Sequence, residues 1–265
     1  MLVVKIMGGL GNQMYQYAFS RGLAYKLGQE VQYDLSFYDQ QAPNGLCCLR
    51  EYELERSFGI KLTICDPHIM EVLKKRSPFN WVIGRYSRIA AINPLRCDRQ
   101  KGFQNNVWKP LWPQGTDAYY VGYWQDVAYF DFVMEEVLRD FEFRGPQSAY
   151  VKDMESRIRS GEAIALHFRR TDFVRTGQHM PIGRYYTELI RVIESNNLRS
   201  VRCFIFSDDM VWVKAHFQCE IPLTYVDRTT NPSEDLYLMS LCPYRIGSSA
   251  SSFFRWAELL GVKNV

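Results

Sequence analysis

The sequence predicts an α/β protein built on parallel β-sheets. Residues 1–34 show the patterns of a strand, a helix and a strand, and the same alternation returns from residue 163 onward. Residues 163–168 (AIALHF) form an apolar run, which is typical of a strand covered by helices on both faces. Strands that alternate with helices favour a parallel sheet with helical crossovers.

The first strand–helix–strand unit opens the chain. Residues 2–7 predict a short buried strand, and a helix follows over about 13–27. Gly28 is placed to end that helix, because glycine adopts the left-handed conformation at little cost. Residues 31–34 alternate between apolar and polar and predict a second strand. Between 39 and 117 the pattern loses its regularity.

The second half adds further strands and helices. Besides 163–168, strands are predicted at 201–206 and 223–226, and helices at 182–193, from about residue 233, and at 252–260. Pro181 stands before the first of these helices, where proline is favoured. Gly145 and Pro146 mark a boundary, which predicts two domains, 1–145 and 146–265.

The composition is that of a globular protein. Hydrophobic residues make up 47% of the 265 residues and charged residues 23%. The net charge of +3 is too small for a nucleic-acid-binding protein, which would carry a concentrated basic face. We therefore expect no nucleic-acid partner, whereas an anionic small molecule would suit a site where a few arginines converge.

Cysteine usage and hydropathy give expectations about location. The seven cysteines are scattered without the spacings of zinc sites, which favours free thiols in a reducing compartment. No stretch approaches the roughly 20 apolar residues of a membrane span, and the apolar run at the start is too short for a signal peptide. These features predict a cytoplasmic protein, at most peripheral to a membrane.

A glycine-rich turn follows the first predicted strand. Glycines in the segment 8–13 (GGLGNQ) would let a ligand approach the backbone, close to the N-H groups at the start of the next helix. The third glycine of a dinucleotide fingerprint is missing, and no Lys-Ser or Lys-Thr pair follows, as a P-loop requires. A tight turn without a ligand is the alternative.

An arginine pair follows the strand at 163–168. Arg169 and Arg170 lie in the segment 167–172 (HFRRTD), and ligands of open α/β sheets bind beyond such strand ends. Guanidinium groups stay charged and match the oxygens of a diphosphate. The alternative is a solvated pair with Asp172 as an ion-pair partner. His167 alone is more often a structural group than a base.

Two polar segments complete the candidate site. Asp208 and Asp209 follow the strand at 201–206, where they could cap a helix or bind a ribose or guanine. The two carboxylates are adjacent rather than separated by one residue, as in a common metal-binding diacid, which argues against a metal. The segment 248–252 (SSASS) precedes the last helix and predicts either a phosphate site or an N-cap.

These motifs, in this order, resemble the α-1,2-fucosyltransferase family. The matching blocks are 5–18 (KIMGGLGNQMYQYA), 122–130 (GYWQDVAYF), 167–172 (HFRRTD), 204–212 (FIFSDDMVW) and 235–242 (DLYLMSLC). The resemblance covers most of the chain, and the HxRRxD block is shared with α-1,6- and protein O-fucosyltransferases.

The resemblance implies a GT-B-type fold with two Rossmann-like domains that face each other across a cleft. The domain 1–145 would take the acceptor, and the domain 146–265 would bind the GDP-sugar. The implied reaction is an inverting, metal-independent transfer of L-fucose from GDP-β-L-fucose to a sugar hydroxyl, O2 of a galactoside, without a cofactor. The implied partners are GDP-fucose and a galactose-containing glycan or lipid-linked oligosaccharide.

The resemblance also implies residue roles. Arg170 is the preferred essential residue, beside Arg169 on the donor phosphates. The resemblance does not identify the base; His167, Asp172 and Asp126 are the candidates among the residues, and a weakly basic or dissociative mechanism is the alternative. The implied catalytic residues are Arg170, Arg169, His167 and Asp172. The implied donor-binding residues are Gly11, Asn12, Gln13, Arg169, Arg170, Ser207, Asp208, Asp209, Ser249, Ser251 and Ser252.

The chain departs from the family pattern near its end. Tyr244 stands where most relatives carry histidine, and the segment 249–256 lacks an asparagine and one tryptophan of the family run. These departures keep two alternatives open: a transferase of the same fold that uses another nucleotide sugar, and a non-catalytic protein that binds nucleotide sugars or glycans.

Overall fold

The computed structural model describes residues 1–39, 50–75, 118–144 and 148–261. Contacts between residues divide the chain into two compact units, 1–144 and 145–265. The predicted boundary pair, Gly145 and Pro146, lies outside the described residues.

The first unit is a parallel sheet with helices. Its elements are β1 (Leu2–Lys5), α1 (Leu10–Leu27), β2 (Val31–Asp34), α2 (Ser36–Asp39), α3 (Leu54–Phe58), α4 (Pro67–Lys75), β3 (Ala118–Tyr120), two 3-10 turns (Val127–Tyr129 and Asp131–Val133) and α5 (Met134–Asp140). The strand order is β2-β1-β3, and both pairings are parallel. The turn after β1 and the start of α1 therefore lie at the carboxyl end of the central strand.

Helix α1 is the main buried helix of this unit. It begins earlier than the sequence predicts, because the N-H groups of Asn12 and Gln13 already bond to the Gly9 carbonyl. Gly28 ends the helix at φ 62°, as predicted, and its N-H bonds to the Ala24 carbonyl. Most of the helix is buried, so it is held by packing on several sides.

The second unit is a four-stranded parallel sheet. Its elements are α6 (Ala149–Arg159), β4 (Glu162–Phe168), α7 (Thr171–Thr176), α8 (Ile182–Ser195), β5 (Val201–Ser207), α9 (Met210–His216), β6 (Leu223–Tyr225), α10 (Pro232–Leu241), β7 (Tyr244–Gly247) and α11 (Ser252–Gly261). The strand order is β6-β5-β4-β7. β4 and β5 pair over their full length, so Phe168 lies opposite Ser207 and the motifs after both strands lie side by side.

The predicted α/β alternation agrees with these elements, and two strands were missed. β3 and β7 are only three and four residues long and show no alternation of their own. Of the irregular region at 39–117, residues 50–75 contain α3 and α4, while 40–49 and 76–117 lie outside the described residues.

The structure describes the state of four cysteines and the apolar character of the helices. Four of the seven cysteines are free: Cys65, Cys203, Cys219 and Cys242. The other three, Cys47, Cys48 and Cys97, lie outside the described residues. Among the helices of the described ranges, none combines the length and the apolar character that a bilayer crossing needs.

Candidate functional site

Arg169 follows the end of β4 and forms ion pairs with two carboxylates. Its Nη1 lies 2.9 Å from Asp208 Oδ2, and its Nη2 lies 2.8 Å from Asp172 Oδ1. The Arg169 side chain is 19% exposed. The ion pair with Asp172 is the local pairing that the sequence left open as an alternative, and Asp208 adds a second partner from the end of β5.

Arg170 is held differently and keeps its terminal nitrogens available. Its Nε lies 3.2 Å from Asp209 Oδ2, and its guanidinium carbon lies 3.2 Å from the ring centroid of Trp212. Neither Nη1 nor Nη2 bonds to another group in the ranges that the structure describes. A guanidinium fixed at its face and at Nε, with both terminal nitrogens left to donate, suits a bidentate anion.

The two aspartates after β5 face the arginines. Asp208 accepts the backbone N-H of Arg170 at 2.8 Å and the Thr171 hydroxyl at 2.6 Å, in addition to Arg169. Asp209 also caps α9 by accepting the N-H of Trp212 at 3.2 Å. The helix cap formed by Asp209 is one of the two alternatives that the sequence left open, and both carboxylates also fix the arginine pair. Binding of a ribose or guanine by Asp208 and Asp209 stays a prediction.

Ser207 connects the two strand ends. Its hydroxyl donates to the Phe168 carbonyl at 2.9 Å and accepts the N-H of Asp209 at 2.9 Å. Contact of Ser207 with the sugar nucleotide stays a prediction. The structure shows that its hydroxyl already makes two hydrogen bonds within the chain.

His167 lies inside the sheet rather than at its rim. It is 5% exposed, its ring stacks on Phe254 with 5.9 Å between centroids, and its Nδ1 has no hydrogen-bond partner among the described residues. Burial and the positive charge of Arg169 lower the pKa of His167 to about 4. The imidazole is therefore neutral at pH 7 and a weaker base than an ordinary histidine.

The other two candidate bases, Asp172 and Asp126, each contact a group within the chain. Asp172 is paired with Arg169, and Asp126 caps a 3-10 turn by accepting the Ala128 N-H at 3.0 Å. Both carboxylates keep oxygen lone pairs for a proton, so neither is removed from consideration by these contacts.

The serine segment divides into capping and unengaged hydroxyls. Ser251 is 3% exposed and caps α11 through the Phe254 N-H at 3.3 Å, and Ser248 accepts the Ala250 N-H at 3.4 Å. Within the described part of the chain, the hydroxyls of Ser249 and Ser252 bond to nothing. The first turn of α11 carries no acidic residue. An anion at this helix start would therefore meet Ser249, Ser252 and backbone N-H groups.

In the first unit, Gln13 shapes the glycine turn. Its amide nitrogen donates to the carbonyls of Gly8 at 3.0 Å and Glu51 at 2.7 Å, and its amide oxygen accepts the Glu53 N-H at 2.8 Å. Gln13 is fully buried, and both amide hydrogens are used. Gln13, which was predicted to bind the sugar nucleotide, thus holds the turn and has no N-H group left to donate to a ligand.

The turn itself requires glycine and presents Asn12. Gly8 has φ 81°, and a Cβ there would lie 2.8 Å from Asn12 Nδ2. The side-chain oxygen of Asn12 accepts the Gln125 amide at 2.7 Å, which leaves its own amide nitrogen for another partner. Gly11 is buried within the first turn of α1.

Sequence reasoning missed two groups that join this turn to the block at 122–130. Gln16 is fully buried, accepts the Met7 N-H at 2.9 Å and donates to the Gly122 carbonyl at 3.0 Å. Trp124 adopts φ 52°, a left-handed conformation that a non-glycine residue rarely takes, and stacks on Phe19 at 4.0 Å. A polar residue on the buried side of α1 was the only available signal for Gln16.

Within 1–39, 50–75, 118–144 and 148–261, no three histidine, cysteine, aspartate or glutamate side chains are grouped so that they could hold a metal ion.

Known proteins resemble the chain in sequence. It is 24% identical to the Alpha-1,2-colitosyltransferase of Escherichia coli, over 96% of this chain and 85% of that protein. It is 28% identical to the O-antigen biosynthesis glycosyltransferase WbnK of Escherichia coli, over 94% of this chain and 86% of that protein.

Solved structures resemble it in fold. The fucosyltransferase NodZ from Bradyrhizobium superposes with a TM-score of 0.54 at 15% identity, over 98% of this chain and 92% of NodZ. NodZ α-1,6-fucosyltransferase soaked with GDP-fucose gives a TM-score of 0.53 at 16% identity, with the same coverage of both chains. This likeness confirms the predicted fold class, an α/β fold of the GT-B type with two Rossmann-like units.

The family follows from the sequence itself. The pattern of Glycosyl transferase family 11 matches residues 105–265, which is more than half of the chain and includes the arginine, aspartate and serine motifs. The family resemblance seen in the motifs is thereby confirmed, and the chain belongs to glycosyl transferase family 11.

Proposed function

We propose that the protein transfers L-fucose from GDP-β-L-fucose to O2 of a galactoside, with inversion to an α-1,2 linkage. Membership of glycosyl transferase family 11 supports the reaction class. The name of the α-1,2-colitosyltransferase supports the linkage. The NodZ structure soaked with GDP-fucose supports the donor, because that protein shares the fold.

The observation that carries the proposal is the state of Arg170. Its guanidinium is fixed by Asp209 and Trp212 at the carboxyl end of β4, and its two terminal nitrogens bond to no group in the described ranges. Ligands of such sheets bind beyond this edge. Two parallel N-H donors at a fixed position match two oxygens of a diphosphate.

Charge balance explains why Arg170 matters more than Arg169. The cluster contains two arginines and three aspartates, a formal charge of −1. Arg169 faces two carboxylates, those of Asp172 and Asp208, whereas Arg170 faces only that of Asp209. The attraction for a diphosphate then depends on Arg170 and on the N-terminal end of α11.

The proposed step breaks one bond and forms one. The acceptor hydroxyl oxygen attacks the anomeric carbon of fucose from the face opposite the diphosphate, and the bond from that carbon to the diphosphate oxygen breaks. The electron pair leaves with GDP, and the hydroxyl proton passes to a base. Arg170 and the amides near Ser249 and Ser252 stabilise the departing charge, so the proposal needs no metal.

The base is one of three groups that differ in their surroundings. His167 is 5% exposed, and burial lowers the pKa of its imidazole to about 4, so the ring is neutral at pH 7 but has little access to solvent. Asp172 and Asp126 lie closer to solvent and are the better candidates on that ground. A proton acceptor need only act as the bond to GDP breaks, so a weakly basic carboxylate is sufficient.

The acceptor is proposed by analogy with a relative, and the location rests on the sequence alone. WbnK is named as an O-antigen biosynthesis glycosyltransferase. We propose a galactose-containing glycan or lipid-linked oligosaccharide as the acceptor, handled in the cytoplasm, at most peripheral to the membrane.

The test measures release of GDP from GDP-fucose in the presence of a panel of galactosides. Arg170→Ala should lower turnover by about 100- to 1000-fold, the usual cost of a lost donor to developing charge. Arg170→Lys should also fail, because the forked donor is lost. Arg191→Ala, which removes an exposed arginine of the same unit, should leave turnover unchanged. Near-normal turnover of Arg170→Ala would contradict the proposal, and GDP binding without galactoside-dependent release would favour a non-catalytic protein.

A second donor is favoured by one relative, the α-1,2-colitosyltransferase that is 24% identical over 96% of the chain. Colitose differs from fucose by the absence of the 3-hydroxyl group. The departures at Tyr244 and in segment 249–256 fall in the same unit as the arginines. Comparison of kcat/KM for GDP-fucose and GDP-colitose decides which of the two is the donor. Calorimetry with GDP-mannose and UDP-galactose tests whether the protein binds another nucleotide sugar instead.

A further inference from the structure

Trp212 lies directly against the residue on which the proposed chemistry depends. The Arg170 guanidinium carbon lies 3.2 Å from the centroid of the Trp212 ring. A cation over an indole face is attracted by the electron-rich ring, and tryptophan is the best of the aromatic side chains for this contact. The indole therefore covers one face of the guanidinium, while Asp209 holds Nε at 3.2 Å.

The position of Trp212 is set by the same carboxylate. Asp209 Oδ2 accepts Arg170 Nε, and Asp209 Oδ1 accepts the backbone N-H of Trp212 at 3.2 Å. Asp209 is in turn fixed by the Ser207 hydroxyl. Arginine, acid and indole thus form one unit at the junction of β5 and α9.

We propose that Trp212 is a positioning residue, whose indole holds the Arg170 guanidinium in the orientation that presents its two terminal nitrogens to the donor diphosphate. The inference rests on the proposed function, in which Arg170 contacts that diphosphate. An arginine side chain has many rotamers, so fixing it before the donor binds lowers the entropy lost on binding. Holding it in place also matters for rate, since a misplacement of about 1 Å can cost about 100-fold.

A purely structural role makes a different prediction. Trp212 is partly buried and packs against the hydrophobic core of the second unit. If packing were its only role, its loss would lower stability in the way that other core substitutions in α9 do. Val213, the next residue, is fully buried in that core, so it supplies a matched control.

The experiment compares Trp212→Leu, Trp212→Phe and Val213→Ala at a temperature where all three are folded. We expect Trp212→Leu to lower kcat with GDP-fucose by at least about tenfold and to weaken GDP binding, with Trp212→Phe between it and the wild type. Val213→Ala should lose thermal stability and keep kcat within about twofold, because its substitution affects packing alone. Equal kcat values for Trp212→Leu and Val213→Ala would overturn the inference.

A double-mutant cycle on GDP affinity tests whether Trp212 acts through Arg170. In the Arg170→Ala background, Trp212→Leu should cause no further loss of GDP affinity, since the group it orients is gone. Independent, multiplicative losses would overturn the inference. A wild-type protein that binds no GDP would instead contradict the proposed function, and the inference would fall with it.

Fluorinated tryptophan gives a readout that does not depend on the leucine variant folding. Successive fluorination withdraws electron density from the indole face with little change in shape, so kcat should fall as fluorine atoms are added. The same labelling of Trp212→Phe, in which the other tryptophans are still replaced, should show no such trend. A trend of equal size in both proteins would refute the role of Trp212.

Discussion

The Arg169 guanidinium and the Asp208 carboxylate join the ends of β4 and β5, with 2.9 Å between Nη1 and Oδ2. Each strand supplies one of the two charges, and the full-length pairing of β4 with β5 brings them together. Asp208 also accepts the Arg170 N-H at 2.8 Å, so this carboxylate fixes the backbone of the neighbouring arginine. The loop after β4 is therefore held from the adjacent strand before any ligand binds.

Removing this acceptor should weaken the second unit. Asp208→Ala leaves the Arg170 N-H and the Thr171 hydroxyl without their partner, and Arg169 keeps only Asp172. We expect the free energy of unfolding to fall by about 1–3 kcal/mol, the range for lost hydrogen bonds to a charged group. Urea denaturation measures this change.

Asp172→Ala provides the comparison for that experiment. The Asp172 side chain is 41% exposed and Arg169 retains Asp208, so the loss should stay below about 1 kcal/mol. Equal losses for the two variants would show that the link between the strands contributes no more than a surface ion pair.

A second prediction concerns Gly22 in the middle of α1. A Cβ on Gly22 would overlap the Tyr129 carbonyl oxygen, and the contact is with backbone, which cannot rotate away. Gly22→Ala should therefore destabilise the protein by about 1–3 kcal/mol through overpacking, although alanine is favoured over glycine in helices. Gly183→Ala in α8, where a Cβ would meet nothing within 4 Å, should stabilise by about 0.4–1 kcal/mol. Thermal unfolding of both variants checks the opposite signs.

The sequence was informative where local pattern determines structure. β4 and β5 are long and apolar because both faces are covered, and Gly28 ends α1 because the left-handed turn requires it. Short strands such as β7 give no such pattern, since four residues that are partly buried contain no full alternation.

Contacts between distant segments could not be predicted in this way. The Gln16 amide spans 106 positions to reach the Gly122 carbonyl, and the sequence shows only a glutamine in a helix. The contacts of Asp208 and Asp209 likewise depend on how two strands about 40 residues apart pair with each other. The two carboxylates alone suggested a ligand site, and only the paired strands show that both also contact Arg170.

A third prediction concerns Arg245 on β7. Its Nη1 donates to the carbonyls of Ser240 and Cys242, which end α10. A cation at a helix C-terminus satisfies open carbonyls and interacts favourably with the helix dipole. Arg245→Met, which keeps most of the side-chain volume, should lower the free energy of unfolding by about 1–3 kcal/mol. Arg191→Met, on the exposed face of α8, should change it by less than about 0.5 kcal/mol. A loss for Arg245→Met no larger than that control would exclude the capping role.

The last prediction concerns pH and follows from the burial of His167. Its pKa in the folded protein is lowered from 6.5 to about 4, so between these values the unfolded chain binds a proton that the folded protein does not. Stability due to this group is therefore present above pH 6.5 and is lost as pH falls towards 4.

This pKa shift corresponds to a loss of about 3 kcal/mol in the free energy of unfolding once the pH is below both pKa values. His167→Gln carries no titrating group, so its free energy of unfolding should depend less on pH between 6.5 and 4 than that of the wild type. Urea unfolding across this range measures both, and parallel curves for wild type and His167→Gln would mean that the imidazole accepts its proton in the folded protein as readily as in the unfolded chain.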